Sequence, residues 1–379
     1  MKVKLEFQSP LIVGGRKLVT NYIESLNYIQ GNVIRAAFAR YILNNCSEFR
    51  DDETVVVDGK EYKNWVYYRD KEGCKECKLK SICQKFSKIK FSYFYPEGIE
   101  IIPLTAMICK NDEKHGFIDC LIQDKECPKC KKGYGRVEHI TGYIKNNEIY
   151  DVKKIVLTRT EINRYTQTSK DGKLYSIVAV LETSKGRNVF EGCIEGLDEQ
   201  ELSLIKELRV GKYLSVGYGK CILKLEKDKN NKKVDILGKL KQFDKKYKGF
   251  NKDVDNKYNY FAIKLVSDAK VKFNQTQFRY LTTDEYKSLW EKALNIDESF
   301  DIYKVYAEIF NFRGYDTSKV EDDKREDAVH MIEKGSVILF RTTKTFEEIY
   351  EYFSKLNGLG EENENGFGDF IFYFGGVKE

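Results

Sequence analysis

Near its C-terminal end the chain reads Gly358-Leu-Gly360-Glu-Glu-Asn-Glu-Asn-Gly366-Phe-Gly368, and the apolar run Phe370-Ile371-Phe372-Tyr373-Phe374 follows at once. In the middle it reads Gly211-Lys-Tyr-Leu-Ser-Val-Gly217-Tyr-Gly219, followed by Cys221-Ile222-Leu223-Lys224-Leu225. Each is a glycine-studded loop that delivers the chain into a β-strand. Glycine reaches positive φ and brings no Cβ, so such a loop lets backbone N–H groups approach a ligand, typically a phosphate. One such loop reads as a tight turn before an edge strand. Two with the same glycine spacing point to a duplicated module.

Working outward, periodicity places the same elements around both loops. Val3, Leu5 and Phe7 form one face of a strand ending at Ser9-Pro10, and Gly14-Gly15-Arg16-Lys17 makes a glycine-basic loop. A helix is expected over Val33–Leu43 with Asn32 as its N-cap. Strands are expected at Ile155–Leu157 and Tyr175–Leu181, and a short helix at Leu202–Leu208. The second half repeats the order: strand Tyr260–Val266, helix Asp284–Leu294, strand Ser336–Phe340, helix Phe346–Leu356, then the second loop. Strand–helix–strand written twice is the ferredoxin-like plan in tandem, an α+β fold. The expected boundaries are a first module over 1–225 with a cysteine-rich insert at about 51–150, a linker over 226–257, and a second module over 258–379. The linker reading rests on Lys227–Lys257, rich in Lys, Asn and Asp.

A length of 379 residues fits two domains. Hydrophobic residues make up 41% and charged ones 33%, a composition that suits cores of ordinary size under a heavily charged surface. With no run of about 18 apolar residues a spanning helix is excluded. The start, Met1-Lys-Val-Lys-Leu-Glu-Phe7, alternates like a strand and lacks the apolar run of a signal peptide. A cytoplasmic location without membrane contact follows as an expectation, with the ten cysteines as thiols or metal ligands. The net charge of +6 is diluted by 59 acidic residues, so the local distribution of charge carries more than the sum.

Seven of the ten cysteines fall in the insert, among them Cys74-x-x-Cys77 and Cys127-Pro-Lys-Cys130. Paired knuckles of this kind present thiolates at tetrahedral spacing and predict a structural zinc held by Cys74, Cys77, Cys127 and Cys130. Cys83, Cys109, His115 and Cys120 are surplus candidates, and a second site or a cluster using Cys74, Cys77 and Cys83 stays open. Cys46, Cys193 and Cys221 read as buried free thiols. An iron–sulfur cluster is disfavoured because one short run with four thiolates is missing.

The ordered series of segments resembles the RAMP superfamily of CRISPR type III effector complexes, and within it the subunit that caps the 5′ end of the guide RNA in type III-D systems. The segments are Ser9-Pro-Leu-Ile-Val-Gly-Gly15, Tyr28-Ile-Gln-Gly-Asn-Val-Ile-Arg35, Arg159-Thr-Glu-Ile-Asn-Arg164, Gly172-Lys-Leu-Tyr-Ser176, Phe190-Glu-Gly192, both glycine loops and Glu333–Phe340. The resemblance implies two RRM-like (RAMP) modules and a non-catalytic subunit that binds the 5′ handle of the crRNA and assembles with other type III effector subunits. Departures are Gln30 where the family has proline, Asn32 where it has serine, and the cysteine-rich insert. A further departure is the acidic second loop, where Glu361, Glu362 and Glu364 would each repel a phosphate by about 1 kcal/mol.

RNA contact is therefore expected at Gly14, Gly15, Arg16, Lys17, Arg35, Arg159 and Arg164, and at the first loop through Arg209, Lys212, Gly217, Gly219 and Lys220. Tyr165, Tyr213 and Tyr218 are candidates for base stacking. Only His115, His139 and His330 exist, and none sits in a glycine loop or near Arg35. Acid–base cleavage of RNA is thus poorly provided for. The alternatives are a guide-processing endoribonuclease of the same superfamily, a backbone subunit that cuts target RNA, and a zinc scaffold with no RNA contact.

Overall fold

The computed structural model describes all residues except 15, 20–21, 132, 182–187, 227–234, 274–281, 322 and 377–379. Two compact units emerge. The first comprises Met1–Gly98, Asp151–Lys229 and Tyr315–Glu326, and the second Ile99–Tyr150, Asn230–Gly314 and Asp327–Glu379. The cysteine-rich stretch is thus not one insert in the first module, as its sequence suggests, but is shared between the units.

In the first unit the strand elements are β1 (Lys2–Phe7), β2 (Arg16–Val19) and β3 (Tyr22–Glu24), with helix α1 (Gly31–Asn44) before β4 (Lys90–Phe91). The long hairpin β5 (Lys154–Ile162) and β6 (Ser169–Val180) follows, then β7 (Val189–Glu195), α2 (Glu199–Ser203), β8 (Glu207–Arg209) and β9 (Lys220–Leu225). The main sheet runs β8-β9-β1-β7-β4, and β5-β6-β3-β2 form a second sheet. Val3, Leu5 and Phe7 of β1 are buried with Ile34, Phe38 and Ile42 of α1 in one core. The opposite face of β1 carries cross-strand ion pairs, Lys4 reaching Glu97 at 2.7 Å and Glu226 at 3.0 Å. Asn32 does not cap α1. The helix starts at Gly31, its N-cap is Gln30, and that side chain makes no capping hydrogen bond.

The second unit holds α3 (Ile236–Phe250), β10 (Asn259–Leu265), β11 (Ala269–Val271), α4 (Thr283–Leu294), β12 (Asp301–Tyr306), most of β13 (Ile309–Tyr315) and of β14 (Arg325–Ile332), β15 (Val337–Thr342), α5 (Phe346–Lys355) and β16 (Phe370–Tyr373). Its main sheet runs β12-β15-β10-β16, all antiparallel. Helices α4 and α5 both open on capping boxes, Thr282 with Glu285 and Thr345 with Glu348. They bury Trp290 and Phe353 against Phe261 and Phe340 of the sheet. Numbered by their place in the βαββαβ order, the four core strands stand 4-1-3-2 in both units: β9-β1-β7-β4 and β16-β10-β15-β12.

Two sequence expectations are corrected. The lysine-rich stretch over 226–257 is no mere linker, because Asp235 caps α3 and Leu240, Phe243 and Tyr247 are buried along one side of it. Residues 227–234 of that stretch lie outside the described residues. The helix expected over Leu202–Leu208 ends at Ser203, after which Glu207–Arg209 pairs with Lys220–Ile222. Leu202, Ile205 and Leu208 are all buried, so their threefold spacing mimics one helical face.

Residues 99–150 are pinned into the second unit by buried polar contacts. The Asp119 carboxylate accepts from the Tyr373 hydroxyl at 2.6 Å and the Gly376 N–H at 2.8 Å. The Lys264 ammonium donates to the Ile101 carbonyl at 3.0 Å.

Candidate metal centre and nucleic-acid interface

Cys109 ends the short strand Ala106–Cys109, His115 closes the 3-10 turn Glu113–His115, and Cys127 and Cys130 sit on one turn of the second unit. The ligand atoms of these four residues all lie within 4.8 Å of one another. Cys109 and Cys130 sulfurs are 3.6 Å apart, and His115 Nδ1 stands 3.4 Å from Cys127 Sγ and 3.5 Å from Cys130 Sγ. Zinc with bonds of about 2.3 Å to sulfur and about 2.0 Å to nitrogen gives tetrahedral edges of roughly 3.5–3.8 Å. The set therefore fits the ion closely.

The surroundings support the same reading. The Cys130 N–H donates to the Cys127 carbonyl at 3.2 Å, which makes the tight turn of a knuckle, and Asn111 Nδ2 donates to Cys130 Sγ at 3.4 Å. Gly135 runs so close that a Cβ there would lie 2.8 Å from the Cys127 backbone. Burial alone would raise the Cys109 thiol, but the backbone N–H groups of Asp112 and Asn111, with Cys130 and His115, outweigh it and bring it down to about 6. The thiolate is the ligand form. Three cysteines and a histidine leave no open position for water, the pattern of a structural rather than a catalytic ion.

The structure thus keeps Cys127 and Cys130 from the expected quartet and replaces the other two. Cys74 and Cys77 belong to the first unit, and the second unit completes its own set with Cys109 and His115. Cys-x5-His-x11-Cys-x2-Cys is the local spacing that carries the signal. Cys120 is buried nearby in sequence but outside the set, and burial raises its thiol.

The two glycine loops prove to be the same device. A Cβ on Gly211 would lie 2.2 Å from the Ile12 carbonyl oxygen, and one on Gly360 2.2 Å from that of Lys270. A Cβ on Gly219 would lie 1.9 Å from the Val210 oxygen, and one on Gly368 1.9 Å from that of Leu359. Tyr213 and Glu362, at matching positions, both adopt left-handed backbone with φ of 58° and 56°.

Their hydrogen bonds also correspond. Gly219 N–H donates to Pro10 at 2.9 Å and Gly368 N–H to Asp268 at 2.9 Å. Lys220 N–H donates to Ser9 Oγ and Asp369 N–H to Ser267 Oγ, each at 2.8 Å. In the first loop the amides of Lys212, Val216, Gly217, Tyr218 and Gly219 all donate to carbonyls of the protein itself. These five amides are committed to the fold and not to a phosphate.

Those side chains are unevenly placed. Lys212 is exposed. Lys220 stands 3.5 Å from Glu207, and Arg209 donates to the Leu214 carbonyl at 2.8 Å. In the second loop Glu362 pairs with Lys270, and Glu361 with Lys272 at 2.7 Å. Its acids are largely neutralised by lysines rather than set out as a repelling cluster.

Arg35 is engaged in packing, donating to the carbonyls of Phe86 at 3.1 Å and Ile89 at 2.5 Å while lying over the Phe91 ring. Gly14 takes φ of 60° against Leu26. Gly15 lies outside the described residues, and Arg16 and Lys17 occupy strand β2, opposite Glu24 and Ile23.

The β5–β6 hairpin is the conspicuous exposed element of the first unit. From Thr158 to Leu174 nearly every residue is exposed, and Tyr165 at its turn is 98% exposed. Arg159 and Arg164 lie along it, Arg159 donating to the Tyr218 hydroxyl at 3.2 Å. Tyr218 is buried among Ile12, Ile177 and Ala179, so it joins the glycine loop to the hairpin and is not a stacking platform. Tyr213 and Tyr165 keep accessible rings.

Residues 4–222 match the RAMP superfamily. No curated protein matches the chain. Among solved structures, it is similar to a chain of the type III-B Cmr-beta complex bound to cognate target RNA, determined by cryo-EM. That chain is 12% identical with a TM-score of 0.44, over 98% of this chain and 96% of that one. A chain of the same complex with cognate target RNA and AMPPnP is 13% identical with a TM-score of 0.43, over 94% and 90% of the two chains. The family match spans more than half of the sequence, and the chain belongs to the RAMP superfamily.

Proposed function

We propose that this chain is a non-catalytic RNA-binding subunit of a type III CRISPR effector complex, that it holds the 5′ handle of the crRNA, and that it works in the cytoplasm beside other effector subunits. The observation that carries the reading is the exposed β5–β6 hairpin, which meets the first glycine loop at Arg159 and carries Arg164 and the bare Tyr165 ring towards its turn. Cations that track a backbone and aromatics that stack on bases are what single-stranded RNA needs. Among the described residues no helix is long and apolar enough to cross a membrane.

Membership of the superfamily and the 4-1-3-2 order in both units support a duplicated ferredoxin-like module. In the second unit Cys109, His115, Cys127 and Cys130 hold a structural zinc. That role occupies His115, while His330 lies against Phe273 and His139 is exposed on a short strand. This supports binding over cleavage.

Sequencing the RNA that copurifies with the full complex tests the class: a short repeat-derived 5′ tag protected by this chain is expected. Incubating the purified chain with repeat RNA should give binding and no product, with or without divalent metal. A discrete cut abolished by His139→Ala or His330→Ala would instead establish the processing endoribonuclease. Filter binding at several salt concentrations tests the loops: Lys212→Ala with Lys220→Ala should weaken binding and flatten the salt slope. Glu361→Gln with Glu362→Gln should change it little. The reverse outcome would exchange the roles of the two loops.

A further inference from the structure

The cysteines left over from the Cys109 centre are not scattered. Four of them, Cys46, Cys74, Cys77 and Cys83, lie in the first unit and converge from two segments. Cys46 follows the end of α1, its N–H donating to the Leu43 carbonyl at 3.1 Å. The other three lie on the short helical turns Glu72–Lys75 and Lys80–Lys85 and the link between them.

The two segments are pressed together beside their cysteines. Gly73 N–H donates to Glu48 Oε1 at 3.1 Å, and a Cβ on Gly73 would lie 2.6 Å from Ser47 Oγ. Gly73 precedes Cys74, and Ser47 follows Cys46. Cys77 and Cys83 both pack against the core of the unit, and Cys74 is buried. The Lys80 N–H donates to the Cys77 carbonyl at 3.1 Å and the Cys83 N–H to the Leu79 carbonyl at 2.9 Å, so one short helical stretch links the knuckle to Cys83.

Taken together, this geometry points to a second metal centre, in the first unit, with Cys46, Cys74, Cys77 and Cys83 as the four thiolate ligands of Zn2+. Cys74-x-x-Cys77 is the knuckle, Cys83 the third ligand, and Cys46 the fourth, which closes the tetrahedron from the end of α1. In this structure no three of the four sulfurs lie within 4.8 Å of one another, and Cys83 Sγ donates to the Tyr67 carbonyl at 3.0 Å. Closure turns Cys83 away from that carbonyl. Binding exchanges one Zn2+ for four thiol protons released to solvent and leaves a dianionic Zn(Cys)4 site. The nearby Arg69 guanidinium, which lies over Tyr67 at 4.2 Å, is already paired with Glu53 at 2.7 Å. Such a site ties α1 to the stretch that follows β-hairpin residues 54–63 and makes the first unit, like the second, depend on its own ion.

The test is elemental analysis of the full-length chain purified without chelator, in the wild type, Cys46→Ser, Cys83→Ser and Cys109→Ser. Two zinc ions per chain are expected in the wild type and one in each variant. Cobalt substitution then separates the centres, since charge-transfer intensity scales with the number of thiolates: four in Cys109→Ser, three beside one imidazole in Cys46→Ser. One zinc in the wild type, retained in Cys46→Ser and Cys83→Ser and lost in Cys109→Ser, would overturn the proposal.

Alkylation of the wild type followed by peptide mass spectrometry covers the case of a variant that does not fold. Saturating zinc should slow the modification of Cys46 and Cys83 at least tenfold, and that of Cys127 to a similar degree. Unchanged rates at Cys46 beside a protected Cys127 would also overturn it. None of these readouts involves RNA, so the outcome is independent of the proposed function.

Discussion

The Arg159 guanidinium lies 3.2 Å from the Tyr218 hydroxyl and over the edge of its ring, 5.9 Å from the centroid. The exposed hairpin and the glycine loop are thereby one surface. Arg159→Ala with Arg164→Ala should weaken RNA binding and reduce the slope of log K against log salt by about 0.7 for each phosphate of a single strand that is no longer neutralised. Tyr218→Phe keeps both cations and should leave the slope unchanged. Salt-titrated binding isotherms check both.

Gly219 and Gly217 both take positive φ, 71° and 97°, but only Gly219 faces a wall. Gly217→Ala should cost roughly 1–2 kcal/mol, the left-handed penalty for an ordinary residue. Gly219→Ala adds a clash with the Val210 oxygen and should cost clearly more. Gly368→Ala, facing Leu359 in the same way, should behave like Gly219→Ala. Denaturant unfolding of the three variants measures the difference.

Removing the ion from the Cys109 centre should loosen the second unit, because a structural zinc supplies folding free energy. Cys127→Ser should lose that ion, lower the thermal midpoint and open the 109–135 stretch to protease. The ligands must be deprotonated, so metal is also expected to leave as the pH falls. Limited proteolysis with and without chelator checks the first part, and a zinc-dye titration across pH the second.

Glu201 links α2 to Lys85. Burial raises its carboxyl, but the Lys85 ammonium at 2.6 Å, the Asp198 N–H and the Ser81 hydroxyl outweigh it and hold it below the ordinary 4.5. A depressed acid stabilises the folded state above its unfolded value and loses that contribution as pH falls through the folded one. Stability should therefore drop below about pH 4.5. Glu201→Gln should flatten that drop and cost about 1 kcal/mol or less at neutral pH through loss of the Lys85 ion pair, since glutamine still completes the capping box of α2. Urea midpoints at pH 3 to 7 provide the measurement.

The glycine loops were legible because no other residue fits. A position whose Cβ would sit 1.9 Å from a carbonyl writes itself into the sequence. The capping boxes and the alternation of β1 were legible for similar local reasons. Helix α3 was hidden because Leu240, Phe243 and Tyr247 stand among lysines that dilute any average hydropathy. The metal set was half legible. Cys127 and Cys130 announce themselves as a knuckle, whereas Cys109 arrives from a strand and His115 from a short turn. Cys74-x-x-Cys77, a second knuckle of identical form, offered a false partner. Arg35 reads as a surface cation and is engaged in packing, since two carbonyl partners 51 and 54 residues away lie outside any local pattern.

A loop whose backbone is tied to the fold at so many points is held in place before any partner arrives. Its glycines are fixed by the chain crossing beneath them, but the positions between are released from folding duty and can be rewritten at little cost to stability. The two copies show that freedom in one place: Tyr213 and Glu362 hold the same left-handed backbone, one an aromatic ring and the other a carboxylate. The chain thus carries two matching mounts, on which unlike side chains stand while the backbone stays the same.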